Sequence, residues 1–569
     1  MKRYILLAIA SILCLTACEQ FLDIPQKGVV AYDTFYDGSD ESAESALVYV
    51  YSTFNTAICR YASGLYSGYE TILNYPGDDI YAAGSNFGDN DFMAWLYDFR
   101  FTDDAEAVRI VYKGMYSVIY ACNLLIGNFE PTTPVKKRCI AEARVVRAYC
   151  NMYLAILFGT PPFVDHVLDA SAKPYNCDKD PDNPMSHEEL LRWCAQECID
   201  AVPDLDERQS TADKNGAVKI TKGAAYAFAG KALLFCNDYA GVKTNLKKVI
   251  DSNKYALVSG PEMVDLFHVN GDASSEKIFE FNVDWDSSIS TGTARNHTYG
   301  QFINVWGWRN DKFGGYPQEL HQTGWGGNNP TGKFAKALIE NDGMDSYRRK
   351  AWIKTYDEVL YEMTYVSDAD NPTLELKQRD PKRGINDPGG LFAHEGYFHY
   401  KRITRAEDLV NRSFSIANPP VMRYAEVLLM YAEACAMTND NDGLQYLNMI
   451  QRRAGSQHIS TALTLQEVKN EKWFEMWEEG CRFIDLIRWG EAADVLAHNG
   501  DAMPSFKDHF FDSDPATRTE THQGYVDWTD SDVYNKNTEH GFKAGKHELL
   551  PFPFSETSIN DNITQNPGW

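Results

Sequence analysis

Hydrophobic positions recur along this chain with a helical period. Ala43, Ala46, Leu47, Val50, Tyr51 and Phe54 follow the i, i+3, i+4, i+7 rule, with Ser39 or Asp40 where an N-cap is needed. Val111, Met115, Val118, Cys122 and Leu125 predict a second amphipathic helix. Cys139, Ala143, Val146, Cys150, Tyr153 and Leu157 predict a third, stopped by Gly159 and the Pro161-Pro162 pair. Leu191, Cys194, Cys198 and Val202 mark a fourth. Residues 221–236 with 239–252, and 421–437 with 442–454, read as two helical hairpins, and one further helix is predicted over 464–489.

The two hairpins resemble each other. Phe228-Ala229-Gly230-Lys231-Ala232 parallels Tyr431-Ala432-Glu433-Ala434-Cys435, each followed by a short turn bearing Asn or Asp and a second helix. Small residues at such points let paired helices approach closely, which is the logic of a degenerate tetratricopeptide-type repeat. The predicted fold class is therefore mostly α, an α/α superhelix of degenerate tetratricopeptide-like repeats. Residues 270–420 have another texture, rich in Gly, Asn, Asp and aromatics, with one alternating stretch, Ile278 to Val283, that reads as a strand. Residues 495–550 are also irregular. Long loops inside a folded chain usually carry function, so the expectation is a helical scaffold bearing a loop-rich, ligand-binding half.

The N-terminus changes the picture. Lys2 and Arg3 precede an apolar run from Tyr4 to Leu15, too short to span a bilayer and built like a secretory signal. It ends in Leu15-Thr16-Ala17-Cys18, the pattern of a bacterial lipobox, so Cys18 is the expected lipid-bearing residue. The expected division is a signal peptide over 1–17, an anchored linker over 18–38, an N-terminal helical region over 39–265 and a C-terminal region over 266–569. Within the last, 266–420 is loop-rich, 421–490 helical and 491–569 irregular. The formal charge of −26 on 569 residues argues against binding nucleic acid or anionic lipid, both of which need a basic face. Of the 12 cysteines, ten lie beyond the lipobox without metal or disulfide spacing; Cys122, Cys139, Cys150, Cys236, Cys435 and Cys481 sit in apolar helical patterns and Cys194 and Cys198 stand four apart on a helix, so packing as small hydrophobes is expected.

Catalytic signatures are absent: no P-loop, no GxSxG, no Rossmann glycines and no HExxH. His394 and His399 stand five apart and would not share a helix face. No cofactor, metal or catalytic residue is expected. Aromatics are more telling. Tyr299, Phe302, Trp306, Trp308, Phe313, Tyr316 and Trp325 are interleaved with glycines that would let rings stand out from a loop. Exposed rings offer flat faces to sugar C–H groups while polar neighbours orient hydroxyls. A second segment, residues 75–100, holds Asp78, Asp79, Asn86 and Trp95. Trp95, Trp306, Trp308, Tyr316 and Trp325 are thus candidate stacking residues, and Asp78, Asp79 and Asn86 candidate polar contacts. The alternative is that these rings plug the seam between loops and scaffold. Arg144 with Arg147, and the pairs Glu478–Arg482 and Asp485–Arg488, read as ion pairs holding helices in register.

Several segments, in order, resemble the SusD/RagB family of Bacteroidetes outer-membrane lipoproteins. They are Cys18 to Pro25, Arg144 to Tyr149 leading to Leu157-Phe158-Gly159-Thr160-Pro161-Pro162, Arg423 to Ala434, Glu479-Gly480-Cys481-Arg482-Phe483 with Arg488-Trp489-Gly490, Pro551-Phe552-Pro553, and Gln565-Asn566-Pro567-Gly568. The resemblance implies four degenerate tetratricopeptide-like helix pairs beneath a loop-rich binding half. It also implies a non-enzymatic protein, lipid-anchored on the outside of the outer membrane, that caps a SusC-like TonB-dependent transporter. Such proteins capture oligosaccharides, or in some members peptides. Family ligand residues lie in loops without a shared motif, so only the lipidated Cys18 carries over.

Overall fold

The computed structural model describes residues 35–59, 68–81, 91–283, 305–309, 313–314, 324–355, 358–359, 365–366, 378–379, 384–385, 396–410, 414–501 and 539–569. Cys18 and the leader, Asn86, Tyr316 and His394 lie outside these residues.

Helices dominate. In the first half they are α1 (Asp40–Cys59), α2 (Gly68–Asn74), α3 (Asp91–Tyr97), α4 (Glu106–Asn128), α5 (Pro134–Phe158), α6 (His187–Ala201), α7 (Lys222–Phe235) and α8 (Tyr239–Asp251). Local chemistry sets their ends. Ser39 Oγ accepts from Ser42 N–H at the start of α1. Thr133 caps α5 with Pro134 at its first position, and Gly159 closes it at φ 77°. Ser186 and Glu189 form a reciprocal capping box on α6. By length and composition α4 could cross a bilayer, but it packs against α1, α2 and α5 as a core helix.

After α8 come α9 (Gly332–Asp342), α10 (Tyr347–Trp352), α11 (Tyr424–Met437), α12 (Gly443–Ala454), α13 (Leu465–Glu475) and α14 (Arg482–Arg488). The helical stack runs α1, α4, α5, α6, α7, α8 and then directly to α11, which packs on α8. The loop-rich half is thus an insertion between α8 and α11. Its neck is zipped by β2 (Lys277–Glu280) paired antiparallel with β6 (Pro420–Arg423), both carrying buried residues. The intervening strands are short: β1 (Ile80–Tyr81) pairs with β3 (Asn329–Pro330), and β4 (Ile353–Thr355) with β5 (Tyr397–His399).

Two expectations need correction. Residues 421–423 are strand, because Arg423 is held extended as the N-cap of α11. The helix expected over 464–489 is two helices. Glu478 and Gly480 take left-handed φ of 59° and 71° between them, which an α-helix cannot contain. The Glu478–Arg482 pair expected on that helix therefore does not form, whereas Asp485–Arg488 does at 2.8 Å. Arg144 and Arg147 both reach across to Glu197 on α6, at 2.8 and 2.7 Å. All ten cysteines beyond the lipobox are free thiols and nine are buried.

Close helix approach rests on the small residues of the hairpins. A Cβ on Gly230 would lie 2.3 Å from Leu246 Cδ2, and one on Gly443 would lie 2.7 Å from Cys435 Cβ and 2.9 Å from Ala432 Cα. Neither Gly443 neighbour can yield, so overpacking of about 1–3 kcal/mol outweighs a helix-propensity gain of under about 1 kcal/mol. Gly443→Ala should lower the urea midpoint with an unchanged m-value; an unchanged or raised midpoint would mean that α11 and α12 can slide apart freely.

Candidate functional site

The fold brings the two aromatic segments of the sequence together. Strand β1 follows Asp78 and Asp79, strand β3 follows Trp325, and their ladder joins Ile80 to Pro330 and Tyr81 to Asn329. Further bonds lock this seam. Tyr75 donates its hydroxyl to Asn328 Oδ1 at 2.7 Å, and Thr331 donates Oγ1–H to the Asp78 carbonyl at 2.9 Å and N–H to the Asp79 carbonyl at 3.1 Å.

Trp95 on α3 and Trp325 before β3 are 42% and 44% exposed. Among the described residues they are the stacking candidates with substantial exposure. Trp306 and Trp308 are not: each is 2% exposed and packed within the seam, with no ring face open to a ligand. Trp306 donates Nε1–H to Glu478 Oε1 at 2.9 Å and stacks on His399 with ring centroids 6.2 Å apart. Trp308 donates Nε1–H to the His399 carbonyl at 3.0 Å.

The glycines explain this inversion. Gly324 N–H donates to Trp308 O, Gly326 to Gly307 O and Gly327 to Val305 O. A Cβ on Gly324 would lie 2.3 Å from Gly307 Cα. Here glycine lets two backbone segments touch, and the tryptophans of the inner segment turn into the core while Trp325 on the outer one stays outside.

Asp78 and Asp79 are buried and serve the seam, a correction to their expected ligand role. Burial alone would raise Asp78, but the Arg482 guanidinium, at 2.7 Å, and the Lys333 ammonium, at 2.5 Å, outweigh it and hold the carboxyl below its usual value. For Asp79, burial and the neighbouring Asp78 charge outweigh the pull of the Arg482 cation and push it up to about 7. Burial likewise pushes Glu478 up to about 8, although Asn328 donates Nδ2–H to its Oε1 at 2.7 Å. His399 accepts the Arg402 N–H on Nε2, so its proton sits on Nδ1; burial and the adjacent Arg402 and Lys401 cations hold it neutral. Sequence reasoning missed Asn328, Arg402 and Lys333 because nothing local marks them. Glu478 and Arg482 were visible, but on the wrong partners. Among the described residues no group of three His, Cys, Asp or Glu side chains is placed to hold a metal ion.

A stacked helical-hairpin scaffold with an inserted loop half, zipped at the neck, defines a class of α-helical repeat proteins that carry a loop-rich insertion. The sequence profile of the SusD family matches residues 244–569, more than half of the chain, and the chain belongs to that family. Among curated proteins it is similar to SusD-like protein P25 of Formosa agariphila, 22% identical over 502 residues that cover 84% of this chain and 88% of the relative. A SusD-like protein of Bacteroides ovatus is 23% identical over 523 residues, covering 86% and 83%. Among solved structures, a laminarin-binding SusD-like protein superposes with a TM-score of 0.67 at 22% identity, covering 93% of this chain and 99% of that one. The surface glycan-binding protein A of Bacteroides thetaiotaomicron, in complex with laminarihexaose, does so with a TM-score of 0.66 at 19% identity, covering 93% and 99%.

Proposed function

We propose that this protein is a nutrient-binding lipoprotein of the cell surface that captures oligosaccharides and passes them to a SusC-like TonB-dependent transporter. The observation that carries the reading is the exposure of two tryptophans, Trp95 on α3 and Trp325 on the segment that leads into the β1–β3 ladder. Indole faces held on a braced backbone suit the apolar faces of sugar rings, and rigid anchors lose little entropy on binding. Two structural relatives are described by the saccharide they bind, which favours oligosaccharide over the peptide alternative. Lipidated Cys18 would tether the protein beside its transporter, so a modest affinity would suffice at high effective concentration. The bound sugar is released unchanged; binding and delivery, without bond cleavage, are the whole activity.

The test is calorimetry of the mature chain against a panel of oligosaccharides that includes laminarihexaose, with peptides as controls. For a saccharide that binds, Trp95→Ala and Trp325→Ala should each cost about 1–3 kcal/mol of affinity, and Trp308→Phe should leave affinity unchanged. Undiminished binding by both alanine variants would remove these rings from the site. A peptide that binds where every saccharide is silent would replace the ligand class.

A further inference from the structure

On the helical half, a groove of about 720 Å³ opens between α1, α4, the segment 162–174 and the C-terminal segment around Ile559. Its size falls in the range of small-ligand sites. Tyr49 of α1 and Tyr120 of α4 stand half out of its wall, 47% and 49% exposed. Neither hydroxyl has a hydrogen-bond partner among the described residues.

The walls are pre-formed. Tyr116 donates its hydroxyl to the Pro162 carbonyl at 2.6 Å, and Asn123 Nδ2 donates to the carbonyls of Val164 and His166. Arg147 donates to the Asp165 carbonyl, while Asn560 and Asn562 hold the carbonyls of Pro174 and Lys173. These bonds consume the polar groups of the wall backbone and leave side-chain heads to face the opening.

Those heads include two unpaired cations. The net charge is −26, yet the lining contributes Lys113 and Lys173, whose ammonium groups have no carboxylate partner among the described residues; its one acid is Glu556, and His166 is paired with Asp165 at 2.8 Å. On α4, Lys113, Ser117 and Tyr120 fall on one stripe, at i, i+4 and i+7. Cation and ring are therefore about 10 Å apart along the helix.

We infer that this groove is a second saccharide site, separate from Trp95 and Trp325, that takes an anionic sugar. The ring faces of Tyr49 and Tyr120 stack on the sugar, and Lys113 and Lys173 pair with its carboxylate or sulfate group. The site extends the oligosaccharide reading above, and either site can fail alone.

The test is calorimetric titration of the mature chain, and of its Trp95→Ala/Trp325→Ala variant, with trigalacturonate and with a sulfated galactose trisaccharide; laminarihexaose is the neutral control. At least one anionic probe should bind both proteins. Lys113→Met and Tyr120→Ala, both surface changes, should each weaken that binding about tenfold, and added salt should weaken it in the parent chain. The probe that binds identifies the anionic group as carboxylate or sulfate. The inference is overturned if neither anionic probe binds, if Lys113→Met and Tyr120→Ala leave binding intact, or if the tryptophan pair abolishes it. Anionic binding with laminarihexaose silent supports this site and counts against that neutral ligand only.

Discussion

Arg423→Met should cost about 3–5 kcal/mol of folding stability, enough to leave a large unfolded fraction at 37 °C, although methionine fills most of the vacated space. Arg423 is wholly buried where β6 passes into α11. Its guanidinium meets Glu276 from the strand β2 neck, Glu475 at 3.2 Å, and Glu479 at 2.7 Å through Nε. Arg453 shares Glu276 and Glu475, at 3.0 and 2.6 Å, and Lys401 shares Glu479 at 2.6 Å. Glu475 and Glu479 stay charged because of these cations. Burial would raise Glu479, but Arg423 and Lys401 outweigh it and bring it to about 2. Removing Arg423 takes one cationic partner from each of three buried carboxylates, and a buried charge short of a partner is costlier than the pair it came from. The network joins the neck strands to α11, α12, α13 and the 399–402 turn, so its loss should release the loop half from the helical stack. Denaturant unfolding of the mature chain reads the effect. A change below about 1 kcal/mol would mean that the carboxylates take up protons at little cost and that the network is not what closes the neck.

The helices of this fold were legible because burial on one face writes a 3.6-residue period, and α1, α4, α5, α6, α7, α8 and α12 lie where that period predicted. The break between α13 and α14 was not legible. Glu478 is an ordinary helix residue in composition, and its left-handed φ is imposed by Trp306 and Asn328, which arrive from far along the chain. The aromatic site was half legible for the same reason. Sequence shows that tryptophans cluster among glycines, and either orientation satisfies that pattern. Which ring faces out is decided by the Gly307–Gly324 backbone contact, and this turned Trp306 and Trp308 in and left Trp325 outside. Asp78 and Asp79 looked like ligand contacts because their partners, Arg482 and Lys333, are distant in sequence.

Stability should fall as pH rises from about 6.5 to 8, by about 1–2 kcal/mol, and Asp79→Asn/Glu478→Gln should remove that fall. Among the carboxyls raised by desolvation, Asp79 and Asp272 reach about 7 and Glu478 about 8, against 3.8, 3.8 and 4.5 when exposed. Between those limits the folded state holds protons that the unfolded chain has released, so each group lowers stability as pH rises. Below about 6.5 an opposite slope offsets this. His268, His399 and His547 are held neutral by burial, the unfolded chain takes up their protons as pH falls, and stability drops with them. Above pH 6.5 the unfolded imidazoles release their remaining protons and folded Lys401, lowered to about 8 by burial, releases its own; both offset part of the carboxyl slope, which is the larger. Gln at position 478 keeps an oxygen for Trp306 and Asn328 and cannot ionise; His399 Nδ1, 3.1 Å from the other oxygen without hydrogen-bond alignment, loses no bond. Thermal unfolding of both chains at pH 6.5, 7.2 and 8 distinguishes the outcomes. Parallel curves for parent and variant would show that these two carboxyls titrate normally, and that the seam beneath Trp325 is wet where the packing makes it dry.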